Sequence, residues 1–291
     1  MQAPMQPFTS SPLRTKLRSQ ACVGSFVSLK DPFVVGQLAV AGYDFVLIDM
    51  EHFPCEPSTL QAMVTTAKSV GIGAMVRVAD SSRASIQQAL ETGADGILVP
   101  MVESVAQAKT IVDFAHHAPH GSRGFHPITA AAGFGSVPPP DVPNFSSQRV
   151  VVGVQIETRQ GLQACEAISS VRGVDLVFAG PGDLAQSLGV DPRSNMLEQS
   201  VKRIIGAARS QGKFAGVFAL AAEKVRGAAA MGARFLVASS DTIFLGQAAS
   251  AMRSELTALP DPGALTPRPF KLVHQPMRRS QRPSRLVRRA G

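Results

Sequence analysis

Cysteine is scarce, tryptophan is absent, and a single tyrosine occurs in the 291 residues of this chain. The three cysteines, Cys22, Cys55 and Cys165, stand at unrelated spacings. Such an odd, unpaired set excludes a disulfide scaffold and a cysteine-based zinc site, and it predicts a reducing, cytoplasmic compartment. No apolar run reaches the roughly 18 residues that a membrane-spanning helix needs. The glycine fingerprint that follows the first strand of dinucleotide-binding sheets is missing as well. Residues 1–20 contain no acid and lack the apolar centre of a secretory signal. They read as a disordered N-terminus over 1–11 followed by a short helix from about Pro12, with a mitochondrial transit peptide as the alternative.

Acidic residues are few in one place above all. The net charge is +8, but residues 261–291 hold seven Arg and one Lys against one Asp, a net +7. The rest of the chain is therefore close to neutral, at +1. A basic domain surface for nucleic acid is not expected from such a body. The segment from 260 onward has many prolines and no hydrophobic period, and reads as a solvated, disordered tail. A tail that tethers the protein to an anionic surface is the non-enzymatic alternative.

Between these ends, short apolar runs alternate with alanine-rich helical patterns. The runs are CVGSFVS (22–28), FVLID (45–49), GAMVRV (73–78), GILVP (96–100), VVVGVQIE (150–157), DLVFAG (175–180), KFAGVF (213–218) and RFLVAS (234–239). Helices are predicted to begin near Pro32, Ser58, Ser82, Ser104, Gln160, Asp183 and Leu197, Ala221 and Asp241, several of them at good N-cap residues. Near-continuous apolar strands imply a parallel sheet buried on both faces. Eight such units over 12–259 predict an α/β fold, a (β/α)8 TIM barrel, with a doubly wound sheet as the runner-up. Residues 119–149, rich in Gly, Pro and Ser, read as one long loop.

Catalytic groups of such barrels lie where strands end. The run at 45–49 ends in Asp49-Met50-Glu51-His52, that at 73–78 carries Arg77, that at 150–157 ends in Gln155-Ile156-Glu157, and that at 175–180 is followed by Gly182-Asp183. Glu157 and Asp183 close neighbouring strands and can share one hard cation, Mg²⁺ or Mn²⁺, with Co²⁺ a further fit. The plainer alternative is that each serves a helix start. His52, beside the carboxylates of Asp49 and Glu51, is the candidate base; Glu51 itself is expected to face solvent or cap a turn. Arg77 pairs with Asp49, clamps a substrate oxyanion, or does both. Lys30 reads as a helix start with Asp31-Pro32, and the remaining lysines fall on helices or at a strand's beginning. A Schiff-base mechanism is accordingly not expected.

The segments AGYDFVLIDMEH (41–52), VRV (76–78), QQALETGADGILVPMVES (87–104), HGSRG (120–124), VQIET (154–158), GVDLVFAGPGDLAQSLG (173–189) and GARFLVASSDTIFL (232–245) resemble, in order and spacing, the metal-dependent (class II) pyruvate aldolases of the HpcH/HpaI type. The resemblance spans roughly 12–256. It implies a (β/α)8 barrel that cleaves a 4-hydroxy-2-oxo acid to pyruvate and an aldehyde. It implies metal ligation by Glu157 and Asp183, His52 as base and Arg77 on the pyruvate enolate. Gln155 and the backbone of Gly182 would bind substrate, and Glu91 would pair with the histidine. It also implies a last helix exchanged between subunits and a homohexamer; no membrane or nucleic-acid partner is expected from the composition. Glu91 and Gly182 depart from the usual Asp and Ala. Residues 125–149 lack the Arg and aromatic residues usual there, in a loop expected to shape the aldehyde pocket. CoA-ester lyases of the malyl or citryl type and a decarboxylase like macrophomate synthase are the alternatives on the same barrel.

Overall fold

A computed structural model describes residues 13–256. The expectations for residues 1–11 and for the tail from 260 lie outside these. Eight strands, β1 (Cys22–Val27), β2 (Phe45–Asp49), β3 (Gly73–Arg77), β4 (Gly96–Val99), β5 (Val151–Ile156), β6 (Leu176–Ala179), β7 (Phe214–Ala219) and β8 (Phe235–Ser240), pair in parallel in chain order. β8 closes on β1 to complete the barrel. Around it run α2 (Pro32–Val40), α3 (Pro57–Ser69), α4 (Arg83–Glu91), α5 (Val105–Ala115), α7 (Arg159–Gln163), α8 (Cys165–Ser169), α9 (Pro181–Leu188), α10 (Asn195–Ser210) and α11 (Ala222–Ala230), and α12 (Asp241–Glu255) follows β8 in the chain. Each strand lies within two residues of its predicted run. Asp31, Ser82, Ser104, Thr158 and Ser194 cap the helices that follow them, each accepting a hydrogen bond from a main-chain N–H of the first turn.

Closure sorts the strand residues into two sets by their period of two. Phe45 and Leu47, Met75, Leu98, Val151, Leu176 and Phe178, and Phe235 and Val237 point inward and form one buried cluster. The alternate residues, such as Val46, Ile48, Val76, Val152 and Val177, pack outward against the helices. The inner layer is crowded. The Phe45 and Phe235 rings stack with centroids 4.2 Å apart. Gly24 makes room for them, because a Cβ there would lie 2.3 Å from the Phe45 ring.

A further helix, α1 (Leu13–Ser19), precedes the first strand and seats Leu13 and Leu17 in the inner cluster. It closes the end of the barrel where the strands begin. Arg234, at the start of β8, donates through Nη1 to the carbonyl of Leu17 and caps the last turn of α1. The opposite end, where the strands finish, stays open to the βα connections.

Residues 119–149 are not the single loop expected. A 3-10 turn at Ala130–Gly135, another at Pro139–Asp141 and an α-helix, α6 (Val142–Arg149), lie within them. Pro139 and Pro143 made the stretch look structureless, but both fall in first turns, where a missing N–H costs nothing. The segment joins α5 to the start of β5, so within one chain it reaches the closed end of the barrel and not the open one. The expectation that it shapes the aldehyde pocket is not met inside a single subunit.

Among the described residues the chain divides after residue 244 into two units. The barrel belongs to the first; the second, among the described residues, is the remainder of α12. No helix among the described residues is long and apolar enough to cross a membrane, and all three cysteines are free.

Leu17 is fully buried, so Leu17→Ala is expected to destabilise the fold by about 2–5 kcal/mol. The check is the urea unfolding midpoint at unchanged m-value. A loss below about 0.5 kcal/mol would mean that α1 does not plug the barrel.

Candidate active site

The inward parity of each strand continues past its apolar residues into polar ones. After Phe45 and Leu47 the next inward residue on β2 is Asp49; after Met75 on β3 it is Arg77; after Val151 and Gly153 on β5 come Gln155 and Glu157. All four side chains are buried at the open end. Strand register aligns Asp49 directly with Arg77.

Arg77 is held from three sides. Its Nε and Nη2 donate to Asp49 Oδ1 and Oδ2 at 2.9 and 2.7 Å, a bidentate pair. Its Nη1 lies 3.0 Å from Glu51 Oε2. Its Cζ sits 4.6 Å from the centroid of the Phe26 ring, a cation–π contact, and Phe26 is braced edge-on by Phe218. Both readings of Arg77 are compatible with this frame: the guanidinium is paired internally and rigidly presented at the barrel mouth. Asp49 has a second task. Its Oδ1 accepts from the main-chain N–H of Glu51 at 3.0 Å and of His52 at 3.4 Å, which winds the turn that carries them.

Glu51 does not face solvent as expected. Its side chain is 18% exposed and turned inward onto Arg77. The cause is charge pairing: the third guanidinium nitrogen needs an anion in a place where water is largely excluded. Burial pushes the Glu51 carboxyl up while Arg77 and His52 pull it down, and the charges of Asp49 and Asp183 push it up again. Glu51 Oε2 takes no hydrogen bond of acceptable geometry despite its ion pair. His52 stands outside this frame, more than half exposed, with Nε2 at 3.9 Å from Glu51 Oε2.

Across the mouth, Glu157 Oε1 accepts from the Met101 N–H at 2.7 Å. Met101 adopts φ 55°, a left-handed backbone costly for a side chain with a Cβ. That strain aims its N–H at the carboxylate. Gln155 donates through Nε2 to Glu157 Oε2. Gly180 lies close beside them: a Cβ there would lie 2.7 Å from Glu157 Oε2 and 2.9 Å from Gln155 Nε2, so these side-chain ends would have to move. Burial raises the Glu157 carboxyl from the ordinary 4.5 to about 7, opposed by the Met101 N–H and reinforced by the charge of Asp183. Asp183 and Gly182 lie exposed in the first turn of α9.

This corner suits a hard divalent cation. The charge of Asp183 acts on the buried Glu157, and the buried Gln155 Oε1 has no hydrogen-bond partner, a costly state for an acceptor unless something else completes it. Among the described residues no group of three or more His, Cys, Asp or Glu gathers as a closed metal site. Two protein oxygens with the remaining positions left to water and substrate match the ligation habit of Mg²⁺ and Mn²⁺.

One residue falls elsewhere than expected. Glu91 ends α4, near the beginnings of the strands, where its Oε1 accepts from Arg123 Nη2 at 2.8 Å. Within one chain it is not brought to His52. Lys30, immediately before the cap Asp31, stands at the entry to α2 as expected. Its Nζ reaches the carbonyl of Asp49 at 2.6 Å and that of Val27 at 3.4 Å, tying β1 to the end of β2. Burial pushes its pKa down. Sequence reasoning also missed Phe26 and Met101. The inward parity of β1 could have found Phe26; no local signal announces the backbone of Met101.

The family profile described as HpcH/HpaI aldolase/citrate lyase matches residues 23–248. The hydroxypyruvate/pyruvate aldolase of Delftia acidovorans is 32% identical over 254 residues, 86% of this chain and 92% of that protein. The 2-keto-3-deoxy-L-rhamnonate aldolase of Klebsiella pneumoniae is 32% identical over 258 residues, 84% of this chain and 92% of that protein. Among solved structures, the HpcH/HpaI aldolase from Desulfitobacterium hafniense superposes with a TM-score of 0.82 at 28% identity, covering 86% of this chain and 98% of that one.

Gly180→Ala is expected to leave the fold intact and reduce turnover by about 10²-fold, because it displaces Glu157 and Gln155 by the better part of an ångström. Steady-state kinetics beside a circular-dichroism melt separate the two effects. Wild-type turnover in this variant would mean that Glu157 has no role in the chemistry.

Proposed function

The chain belongs to the HpcH/HpaI aldolase/citrate lyase family, and from that premise we propose that it is a metal-dependent carbon–carbon lyase that splits a 4-hydroxy-2-oxo acid into pyruvate and an aldehyde. The observation that carries this reading is the opposition of two charge systems at one barrel mouth. Glu157, with Asp183, faces Arg77, which Asp49 and Glu51 hold in place.

Glu157 and Asp183 would hold the divalent cation, Mg²⁺ or Mn²⁺ with Co²⁺ a further fit. When bound, it supplies Lewis acidity to the 2-oxo acid. The chain's own groups do the rest. Gln155, with its unmet Oε1, and the main-chain N–H of Gly182 orient the substrate. His52 takes the proton from the C4 hydroxyl. As that oxygen becomes the aldehyde carbonyl, the C3–C4 bond breaks and its electron pair passes into the enolate of pyruvate. Arg77 presents fixed positive charge where the oxyanion develops, and it needs no reorganisation to do so. Protonation of the enolate at C3 completes pyruvate. In the reverse direction the same groups form the enolate and add it to an aldehyde.

A homo-oligomer, the hexamer of the resemblance, is part of this reading. It is supported by α12, of whose fifteen residues only Asp241 is buried while Leu245 and Met252 are exposed. A Glu91–His52 pairing would likewise have to come from two different subunits. Free cysteines support a cytoplasmic site of action.

The direct test is pyruvate release from a panel of 4-hydroxy-2-oxo acids by EDTA-treated protein, with and without Mg²⁺ or Mn²⁺. Metal-dependent pyruvate is expected, with most turnover lost in His52→Ala and Glu157→Gln. Undiminished release in EDTA would overturn the metal reading, and no pyruvate from any free acid would move the assignment to CoA esters.

A second prediction concerns pH. Glu157 titrates near 7 in the folded chain and near 4.5 when solvated. Between these values the native state binds more protons than the unfolded one. The Glu157 contribution therefore favours folding at low pH and is lost as pH rises through about 7. A cation competes with that proton, so it should stabilise more as pH rises. The Mn²⁺-induced increase in Tm is expected to be larger at pH 8 than at pH 6, and to vanish in Glu157→Gln. A pH-independent increase would remove Glu157 from the ligand set.

A further inference from the structure

The closed end of the barrel carries a charge system of its own. α1 and α6 flank a hollow of about 590 Å³ whose wall includes Arg14, Arg18 and Arg149. That volume lies in the range of small-molecule sites. Two of the guanidiniums are fixed from behind. Arg14 is ion-paired through Nη2 with Asp175, at the start of β6. Arg149 lies over the Phe145 ring, with Cζ 5.1 Å from its centroid. Arg14 Nε is buried and has no hydrogen-bond partner. Thr15 and Ser147 add hydroxyls to the lining.

An adjoining hollow of about 280 Å³ shares Arg18 and adds Arg209, Lys213 and Arg234. No carboxylate lines either hollow among the described residues. The body of the chain is nearly neutral, so this concentration of cations is a polarisation of the molecule and not a consequence of its overall charge. The twelve residues preceding α1 contain no acid, so the chain's own N-terminus carries no side chain that could neutralise the site.

We propose that the α1–α6 cavity is a binding site for a phosphate dianion, either inorganic phosphate or a small phosphate ester, at the barrel end opposite the catalytic mouth. The planar guanidinium fork matches phosphate oxygens in pairs, which a point-charge lysine does not. Three guanidiniums and two hydroxyls provide more donors than a monocarboxylate such as pyruvate can use. The cavity also exceeds what a bare phosphate fills, so the carbon skeleton of an ester can be accommodated.

The test is isothermal titration of the full chain, in EDTA and at constant ionic strength, with inorganic phosphate, glycerol 3-phosphate and acetate. One equivalent of phosphate or ester per chain is expected, with acetate silent. Tighter binding of glycerol 3-phosphate identifies an ester site; equal or weaker binding identifies inorganic phosphate. Arg18→Gln, at an exposed position that packing does not constrain, is expected to weaken binding at least tenfold while leaving pyruvate formation unchanged. Arg149→Gln should do the same. Absence of binding at millimolar phosphate and ester overturns the proposal. So does binding that survives both substitutions, or that disappears only when residues 261–291 are deleted. A single-stranded RNA that binds more tightly than either probe, and is lost with the same two variants, would make the face a nucleic-acid surface instead.

Discussion

In a closed eight-strand barrel, every strand must send alternate residues into one shared interior, and the chemistry of this protein depends on where that rule stops being satisfied by hydrocarbon. Phe45, Leu47, Met75, Val151, Phe178 and Phe235 fill the lower layers. One step further along the same inward positions come Asp49, Arg77, Gln155 and Glu157. Buried charges there can persist only if each is paired. That requirement generates the architecture of the mouth. Asp49 and Glu51 surround Arg77, and the N–H of Met101 and the amide of Gln155 serve Glu157.

The two sides of the mouth are stabilised differently. On the β2–β3 side opposite charges compensate each other, so Arg77 can remain charged while almost dry. On the β5–β6 side two acids approach each other with few cations near. Burial together with the charge of Asp183 therefore makes the Glu157 proton hard to remove. The first side is largely paired, apart from one oxygen of Glu51, and the second is electrostatically unsatisfied.

The same fold separates the charge systems along its axis. The open end gathers carboxylates; the closed end, plugged by Leu13 and Leu17 of α1, turns arginines outward. Asp175 joins structure to electrostatics at the closed end. It supports the main chain at the start of β5 by accepting from the Val152 N–H, and it pairs with Arg14.

Most of the barrel was legible in the residue order. Apolar runs of strand length, each followed by a capped helical pattern, leave few ways to bury both faces of a sheet, and all eight strands and the positions of Asp49, Arg77, Gln155, Glu157 and Asp183 at strand ends follow from that local pattern. The inward turn of Glu51 did not, because it answers to Arg77, which lies 26 residues away in sequence. Nor did the reach of Lys30 to the carbonyl of Asp49, the strained N–H of Met101 on Glu157, or the pairing of Glu91 with Arg123 at the far end of the barrel. The helix hidden in residues 142–149 was masked by prolines that its first turn tolerates. Periodicity and capping act between near neighbours and can be read along the chain. The partner of a buried charge is chosen by proximity in three dimensions, and only barrel closure decides which residues become neighbours.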